Sequence, residues 1–139
     1  MSLDMRSKLK MRGCHPDLIK VIELGAERSP VQFIVTQGPR SLADQVALIK
    51  SGASSLKDPK RSRHVPGQTK LYGVVAHAVD IAPVIAKKVR WDWPLFHQIA
   101  PAIKAAAAEL KIPIEWGGDW RTFKDGPHWQ LPWAQYPLV

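Results

Sequence analysis

The chain has 139 residues, a length that favours one domain able to bury a hydrophobic core. Its apolar fraction of 45% and charged fraction of 23% are those of a folded globular protein, which excludes a mainly disordered chain. The net charge of +8 favours a polyanionic partner, which could be nucleic acid, an anionic membrane surface or an anionic cell wall.

The first half of the chain is predicted to contain two helices with one strand between them. Apolar residues recur at helical spacing over 16–28, and alternate with polar residues over 31–36 as in a strand. A second helix is predicted between Ser41, as its N-cap, and Gly52, as its C-cap. The inward-facing residues of this helix are predicted to be Leu42, Val46 and Ile49.

The middle of the chain begins with a polar, basic stretch over 53–73, which we predict to be a long loop that is functional or mobile. An apolar run over 74–81 predicts a buried strand that ends at Pro83. A helix is predicted over 92–111, kinked or split by Pro101. Its apolar stripe is predicted to be Leu95, Ile99, Ala102, Ala106 and Leu110.

Two short strands, over 112–116 and 128–131, complete the predicted elements, with a turn at Gly117-Gly118. Helices and strands mix without a regular βαβ rhythm, so the predicted fold class is α+β. We expect a single domain over 1–139.

The single cysteine, Cys14, excludes an internal disulfide and a zinc cluster built from several cysteines. We expect a buried, unreactive thiol, because nothing beside it marks it as activated. The charged N-terminus lacks the apolar run of a signal peptide, and no stretch is long enough to span a bilayer. We therefore expect a protein made in the cytoplasm, without stable membrane insertion.

Three segments concentrate histidine and aspartate. They are Ser62-Arg63-His64-Val65-Pro66-Gly67 in the long loop, His77-Ala78-Val79-Asp80 in the buried strand and Asp125-Gly126-Pro127-His128-Trp129 before the last strand. Two imidazoles, one carboxylate and an open fourth position make a catalytic zinc site. A further carboxylate beside the site would serve as general base.

Strand parity separates two of these candidates. Asp80 and His77 face opposite sides of one strand, and an aspartate in so apolar a strand is costly unless a metal compensates it. Asp80 is therefore predicted to be a ligand, and His77 a structural histidine or one that supports the site. In the last segment the corresponding division makes His128 a ligand and Asp125 the base.

Each of these residues also has an ordinary structural explanation. A histidine found by spacing alone is more often a hydrogen-bonded surface or core residue than a ligand. Asp80 could stabilise the turn at Pro83, and Asp125-Gly126-Pro127 is a common turn sequence. The basic run over 57–63 is either a solvated loop or a contact with a polyanion.

Tryptophans concentrate towards the C-terminus, at positions 116, 120, 129 and 133. About half are expected in the core, and the others in a cleft, where tryptophan offers wide apolar contact with a polar edge. Trp116 and Trp129 are the predicted substrate-binding residues.

Together these motifs resemble the D-alanyl-D-alanine carboxypeptidase (VanY-like) family of zinc peptidases, and most closely its bacteriophage endolysin branch, the L-alanyl-D-glutamate peptidases. The resemblance runs from about residue 3 to 131. It also includes Cys14-His15-Pro16-Asp17-Leu18, Gly38-Pro39-Arg40-Ser41 with Gln45, and Trp116-Gly117-Gly118-Asp119-Trp120.

The resemblance implies zinc on His64, Asp80 and His128, held by the antiparallel sheet of a small α+β domain. It also implies Asp125 as the catalytic carboxylate and Arg40 as a positive group for the developing oxyanion. One departure is that Asp80 follows His64 at a longer separation than the family usually shows, because residues 68–76 are additional. His77 therefore remains an alternative ligand to His64.

The expected function is cleavage of the L-Ala–D-Glu bond in the stem peptides of bacterial peptidoglycan. The enzyme is expected to be a monomeric endolysin that reaches the cell wall, in the periplasm, after release from a phage-infected host. An open groove between the loop over 53–73 and the tryptophan-rich segment would suit an endopeptidase. Stem carboxylates would meet Lys57, Lys60 and Arg61 there.

Three alternatives remain at this stage. A D-Ala-D-Ala carboxypeptidase would use the same chemistry, and a wall-binding module without catalysis would have no need of the complete set of active-site residues. A basic nucleic-acid-binding domain would explain the charge, with strongly salt-dependent affinity. It gives no reason for the histidines and aspartates, so we expect no nucleic-acid partner.

Overall fold

A short antiparallel sheet with helices packed against it builds the framework of this chain. The computed structural model describes residues 2–54 and 56–139. The helices of that part are α1 (Met5–Lys10), α2 (Pro16–Arg28), α3 (Leu42–Lys50) and α4 (Trp93–Leu110). Its strands are β1 (Phe33–Gln37), β2 (Gly67–Gln68), β3 (Val74–Val75), β4 (Ala78–Ile85), β5 (Lys88–Val89), β6 (Glu115–Trp116) and β7 (His128–Gln130). The predicted α+β class is confirmed.

The main sheet is arranged around β4. Its strand order is β1-β4-β7-β6, all antiparallel, and β5 folds back on the end of β4 as a hairpin. The register places Asp80 of β4 opposite His128 of β7, and Gln37 of β1 on the other side of Asp80. Strands β2 and β3 form a separate two-stranded ladder.

The core lies where α2 and α4 pack against each other beside the sheet. The helices approach closely at Gly25, where an added Cβ would lie 2.8 Å from Ile103 Cγ1. Helix α4 continues through Pro101 and is not split, contrary to one of the predicted outcomes. Among the described residues, no helix combines the length and the apolar character needed to cross a bilayer.

Of the predicted apolar stripe of α4, Ile99 and Ala106 are buried and Leu95 packs against the core. Leu110 is exposed, and the buried residues are Phe96, Ile99, Ala100, Ile103, Ala106 and Ala107. The C-terminal half of this helix is rich in alanine on all sides, so the sequence pattern does not determine which side meets α2. In α3 the prediction of an inward Leu42 was wrong, since Leu42 is exposed and Gln45 is buried.

The predicted strands differ from the observed ones mainly where a strand is interrupted and where it ends. The run over 74–81 is two strands, and β4 continues past Pro83 to Ile85. Proline removes one donor from the ladder, but the next residue restores pairing because Val84 N donates to Gln32 O at 2.8 Å. Strand β5 and helix α1 were not predicted, although Asp4 caps α1 by accepting from Ser7 N.

The predicted loop over 53–73 contains a 3-10 helix, Pro59–Arg61, and strand β2, while residue 55 lies outside the described residues. Its middle is anchored to the C-terminal segment by the buried Arg63, which donates to the carbonyls of Leu131, Pro132 and Tyr136. Burial lowers the pKa of Arg63 to about 10. Cys14 is buried, as predicted, and its burial raises the thiol pKa to about 12.

Behind the sheet, His77 lies in a buried aromatic cluster and faces His15, at 5.5 Å between ring centroids. Only 1% of His77 is exposed. Burial lowers the pKa of His77 to about 4, helped by the positive charge of Arg63 and by His15. The folded chain therefore holds this imidazole neutral above about pH 4.

We predict that His77 makes folding less stable at low pH. Below an ordinary histidine pKa of about 6.5, the unfolded chain binds a proton that the folded chain rejects, so stability falls between pH 6.5 and 4 by roughly 3 kcal/mol. Urea denaturation at pH 7 and pH 4 would measure this loss. Between pH 7 and pH 4, the free energy of unfolding of His77→Phe should fall less than that of the wild type, by about the same amount. Equal decreases in both proteins would contradict the prediction.

Candidate active site

His64, Asp80 and His128 meet at one edge of the β4–β7 ladder. Their ligand atoms all lie within 4.8 Å of one another. His64 Nε2 is 3.2 Å from Asp80 Oδ1, and His128 Nδ1 is 3.4 Å from the same oxygen. Two imidazole nitrogens and a carboxylate oxygen are donors that divalent metals accept, so this group could hold a metal ion.

The far nitrogen of each imidazole is held by a separate hydrogen-bond partner. His64 Nδ1 lies 2.9 Å from the carbonyl oxygen of Gly38, so Nδ1 carries a proton and Nε2 is the nitrogen that faces Asp80. His128 Nε2 lies 2.7 Å from Gln130 Oε1, and its Nδ1 faces Asp80. Glu115 Oε2 accepts from the Gln130 amide at 3.3 Å and so orients that amide. Such partners fix the tautomer of a metal-binding histidine.

The segment over 68–76, expected to be additional to the family pattern, forms an excursion between His64 and Asp80. Its two ends take part in the β2–β3 ladder, in which Gln68 is paired with Val74. The chain then returns to the loop, since His77 N donates to Arg63 O at 2.8 Å. The excursion therefore closes on itself before Asp80 is reached.

The structure groups His64, and not His77, with the two other predicted ligands. His77, immediately before β4, lies beside the His15 ring instead. Strand parity predicts the same separation of His77 from Asp80.

The three side chains line a cleft of about 830 Å³ that also includes Arg40 and Asp125. Arg40 Nη2 lies 3.7 Å from Asp80 Oδ2. Burial alone would raise the pKa of Asp80, but hydrogen bonds from His128 and His64 outweigh it and lower that pKa. Asp80 is therefore ionised.

Asp125 is brought to the cleft by a tight turn against Gly117. Asp125 N donates to Gly117 O at 3.0 Å, and a Cβ on Gly117 would lie 2.4 Å from Asp125 O. Burial raises the pKa of Asp125, and the negative charge of Asp80 raises it further, whereas His128, His64 and Arg40 oppose the shift. A carboxylate with a raised pKa accepts a proton more readily.

Trp116 and Trp129, the predicted substrate-binding residues, lie elsewhere. They are only 4% and 1% exposed, and their rings stack in the core at 5.6 Å between centroids. That prediction was wrong, because successive residues of a strand face opposite sides, and His128 already occupies the cleft side of β7. Trp120 and Trp133 line the cleft instead.

Several other cleft residues were missed as site residues. They are Gln45, Glu115, Lys124 and Gln130. Gln130 was detectable in principle, since it is two residues after His128 and shares its face of the strand. The position of Glu115 depends on the β6–β7 register, which the sequence does not reveal.

Residues 1–130 match the protein family described as phage L-alanyl-D-glutamate peptidase. The chain belongs to this family. The predicted endolysin-type resemblance is thereby confirmed, and the chain is a peptidase.

Individual relatives agree with this membership. The L-alanyl-D-glutamate peptidase of Escherichia phage T5 is 34% identical over 120 residues, which span 86% of this chain and 81% of the relative. A peptidase of the same name from Listeria phage A118 is 31% identical over 111 residues, covering 80% of this chain but 34% of that longer protein.

A solved structure is also similar. The crystal structure of the Serratia marcescens L-Ala D-Glu endopeptidase ChiX superposes with a TM-score of 0.82 at 42% sequence identity. The match covers 94% of this chain and 90% of ChiX.

Proposed function

We propose that this family member is a zinc-dependent endopeptidase that cleaves the L-Ala–D-Glu bond in peptidoglycan stem peptides. The observation that supports the chemistry is the convergence of His64, Asp80 and His128 in a cleft shared with Asp125 and Arg40. The names of the T5 and Serratia relatives support the choice of bond. We further propose one peptidase domain over 1–139, acting on the cell wall after release from the cytoplasm.

The zinc ligands in this proposal are His64 Nε2, Asp80 and His128 Nδ1, in which each ring nitrogen is the one opposite the hydrogen bond to Gly38 or Gln130. Bound zinc supplies Lewis acidity, which polarises the scissile carbonyl and makes a water molecule acidic near neutral pH. Gly38 and Gln130 keep both imidazoles in the tautomer that offers a lone pair to the cleft.

Asp125 and Arg40 have separate roles in the proposed reaction. The Asp125 carboxylate accepts a proton from the attacking water and delivers it to the leaving amine of D-Glu. The Arg40 guanidinium stabilises the negative charge that develops on the carbonyl oxygen. Both groups line the same cleft as the proposed ligands.

The decisive experiment is mass analysis of the products released from purified cell wall, with and without a metal chelator. New D-Glu N-termini, falling turbidity and loss of both with chelator are the expected results. Release of free D-Ala from wall that stays intact would replace this proposal with a D-Ala-D-Ala carboxypeptidase.

For the metal, we predict about one zinc per chain in the purified protein and a clear loss in Asp80→Ala, which removes the one anionic ligand. Elemental analysis after dialysis measures both. Asp92→Ala, at an exposed aspartate paired with Arg90, is the matched control and should retain the zinc. Full zinc content in Asp80→Ala would show that the ligand assignment is wrong.

For the base, we predict that Asp125→Ala keeps the zinc and the fold but loses about 10²–10⁴-fold in turnover. Zinc content, circular dichroism and turnover on the same preparation test this. Asp119→Ala is the control, because Asp119 is in the same segment but pairs with Lys104 on the surface. A near-normal rate in Asp125→Ala would reject the role.

Of the basic residues expected to meet stem carboxylates, Arg61 lines the cleft, whereas Lys57 and Lys60 do not. The Arg61 guanidinium lies over the ring of Trp133, at 5.3 Å from the centroid. A D-Glu residue within a chain keeps one free carboxylate, whichever carboxyl group continues the chain. We propose that Arg61 attracts that carboxylate from the cleft wall.

Arg61→Ala should therefore raise KM about 2- to 5-fold, the effect expected of one exposed ion pair. Lys60→Ala, in the same 3-10 helix, should leave KM unchanged. The difference in KM between Arg61→Ala and the wild type should vanish on a stem peptide whose free glutamate carboxylate is amidated. An equal KM increase on both peptides would argue against carboxylate recognition.

A further inference from the structure

Gln45 is the single buried residue of α3 and is 0% exposed. A buried amide is costly unless its oxygen and nitrogen are both hydrogen-bonded. Gln45 Oε1 accepts from Arg40 Nη1 at 2.8 Å, and Gln45 Nε2 donates to Ser54 Oγ at 3.1 Å. Because a guanidinium can only donate, this pairing also fixes which end of the amide faces Arg40.

Arg40 stands between this amide and the carboxylate of Asp80. Its backbone N donates to His64 O at 2.7 Å, which fixes the position of the main chain. Its Nη2 stops 3.7 Å from Asp80 Oδ2, beyond the usual hydrogen-bond distance. One side of the guanidinium is therefore hydrogen-bonded to Gln45, and the other lies at ion-pair distance from Asp80 without a hydrogen bond to it.

The alternative position for Arg40 is a direct pair with Asp80. Arginine and carboxylate groups favour short, two-point pairing, and partial burial strengthens it. Such a pair would engage the carboxylate that the metal needs and remove the guanidinium from the substrate. The bond to Gln45 opposes that movement, because leaving it would strand a buried amide oxygen.

We propose that Gln45 is a positioning residue that holds the Arg40 guanidinium away from Asp80. It thereby keeps Asp80 free for the metal and keeps Arg40 directed at the reacting carbonyl, while touching neither metal nor substrate. The inference rests on the proposed function for the metal and for the role of Arg40.

The test measures zinc affinity by competition with a chromophoric chelator, alongside kcat and KM. Gln45→Leu, which keeps the size but removes the acceptor, should bind zinc about 10-fold or more weakly. Its kcat should fall with little change in KM. Gln45→Glu, which keeps an acceptor oxygen for Arg40, should retain the affinity. Circular dichroism and thermal unfolding of the metal-free variants check that each folds.

The double variant Gln45→Leu/Arg40→Ala separates positioning from a merely structural effect. Once Arg40 is absent, nothing competes for Asp80, so zinc affinity should return to that of Arg40→Ala alone. Affinity as weak as in Gln45→Leu would overturn the inference. If Gln45→Leu and wild type bind zinc equally, the inference also fails while the proposed function stands; if wild type binds no zinc, the proposed function itself fails.

Discussion

Asp80 and His128 face each other across the β4–β7 ladder, and the other parts of the site are arranged around that pair. Cross-strand neighbours have Cβ atoms about 5 Å apart, so the register alone brings a carboxylate and an imidazole into reach. His64 comes from a loop outside this ladder, and the Gly38 carbonyl orients its ring. A one-residue slip of β7 would turn His128 into the core and Trp129 into the cleft.

The site keeps its charged groups in place through neutral or backbone partners. Gly38 offers a carbonyl and Gln130 an amide to the two imidazoles, and Gln45 offers an amide to Arg40. Neutral partners fix direction without adding a competing charge beside Asp80. The neutrality of these partners matters because the chain has a net charge of +8. A freely moving cationic side chain near the cleft would be drawn to the Asp80 carboxylate.

Much of the fold and the grouping of the candidate ligands could be predicted from the sequence. Helix α2 was predictable because its apolar residues recur at regular helical spacing. The face of β4 that carries Asp80 was predictable because the residues of a strand alternate between only two faces. Trp129 was placed wrongly because the same parity was not applied to β7. Two of the groups behind the ligands could not be predicted as such, since Gly38 reaches His64 through a loop path and Glu115 reaches Gln130 through strand register.

The β2–β3 excursion leaves and rejoins the chain at nearly the same place, since His77 N bonds back to Arg63 O. Its tip carries an exposed Leu71 and a left-handed Gly73, where an added Cβ would meet open space. Changes in length at this tip cost mainly loop-closure entropy, which grows slowly with the number of residues. Evolution or engineering can therefore vary the segment between His64 and Asp80, or graft a recognition peptide onto it, without altering the distance between their side chains.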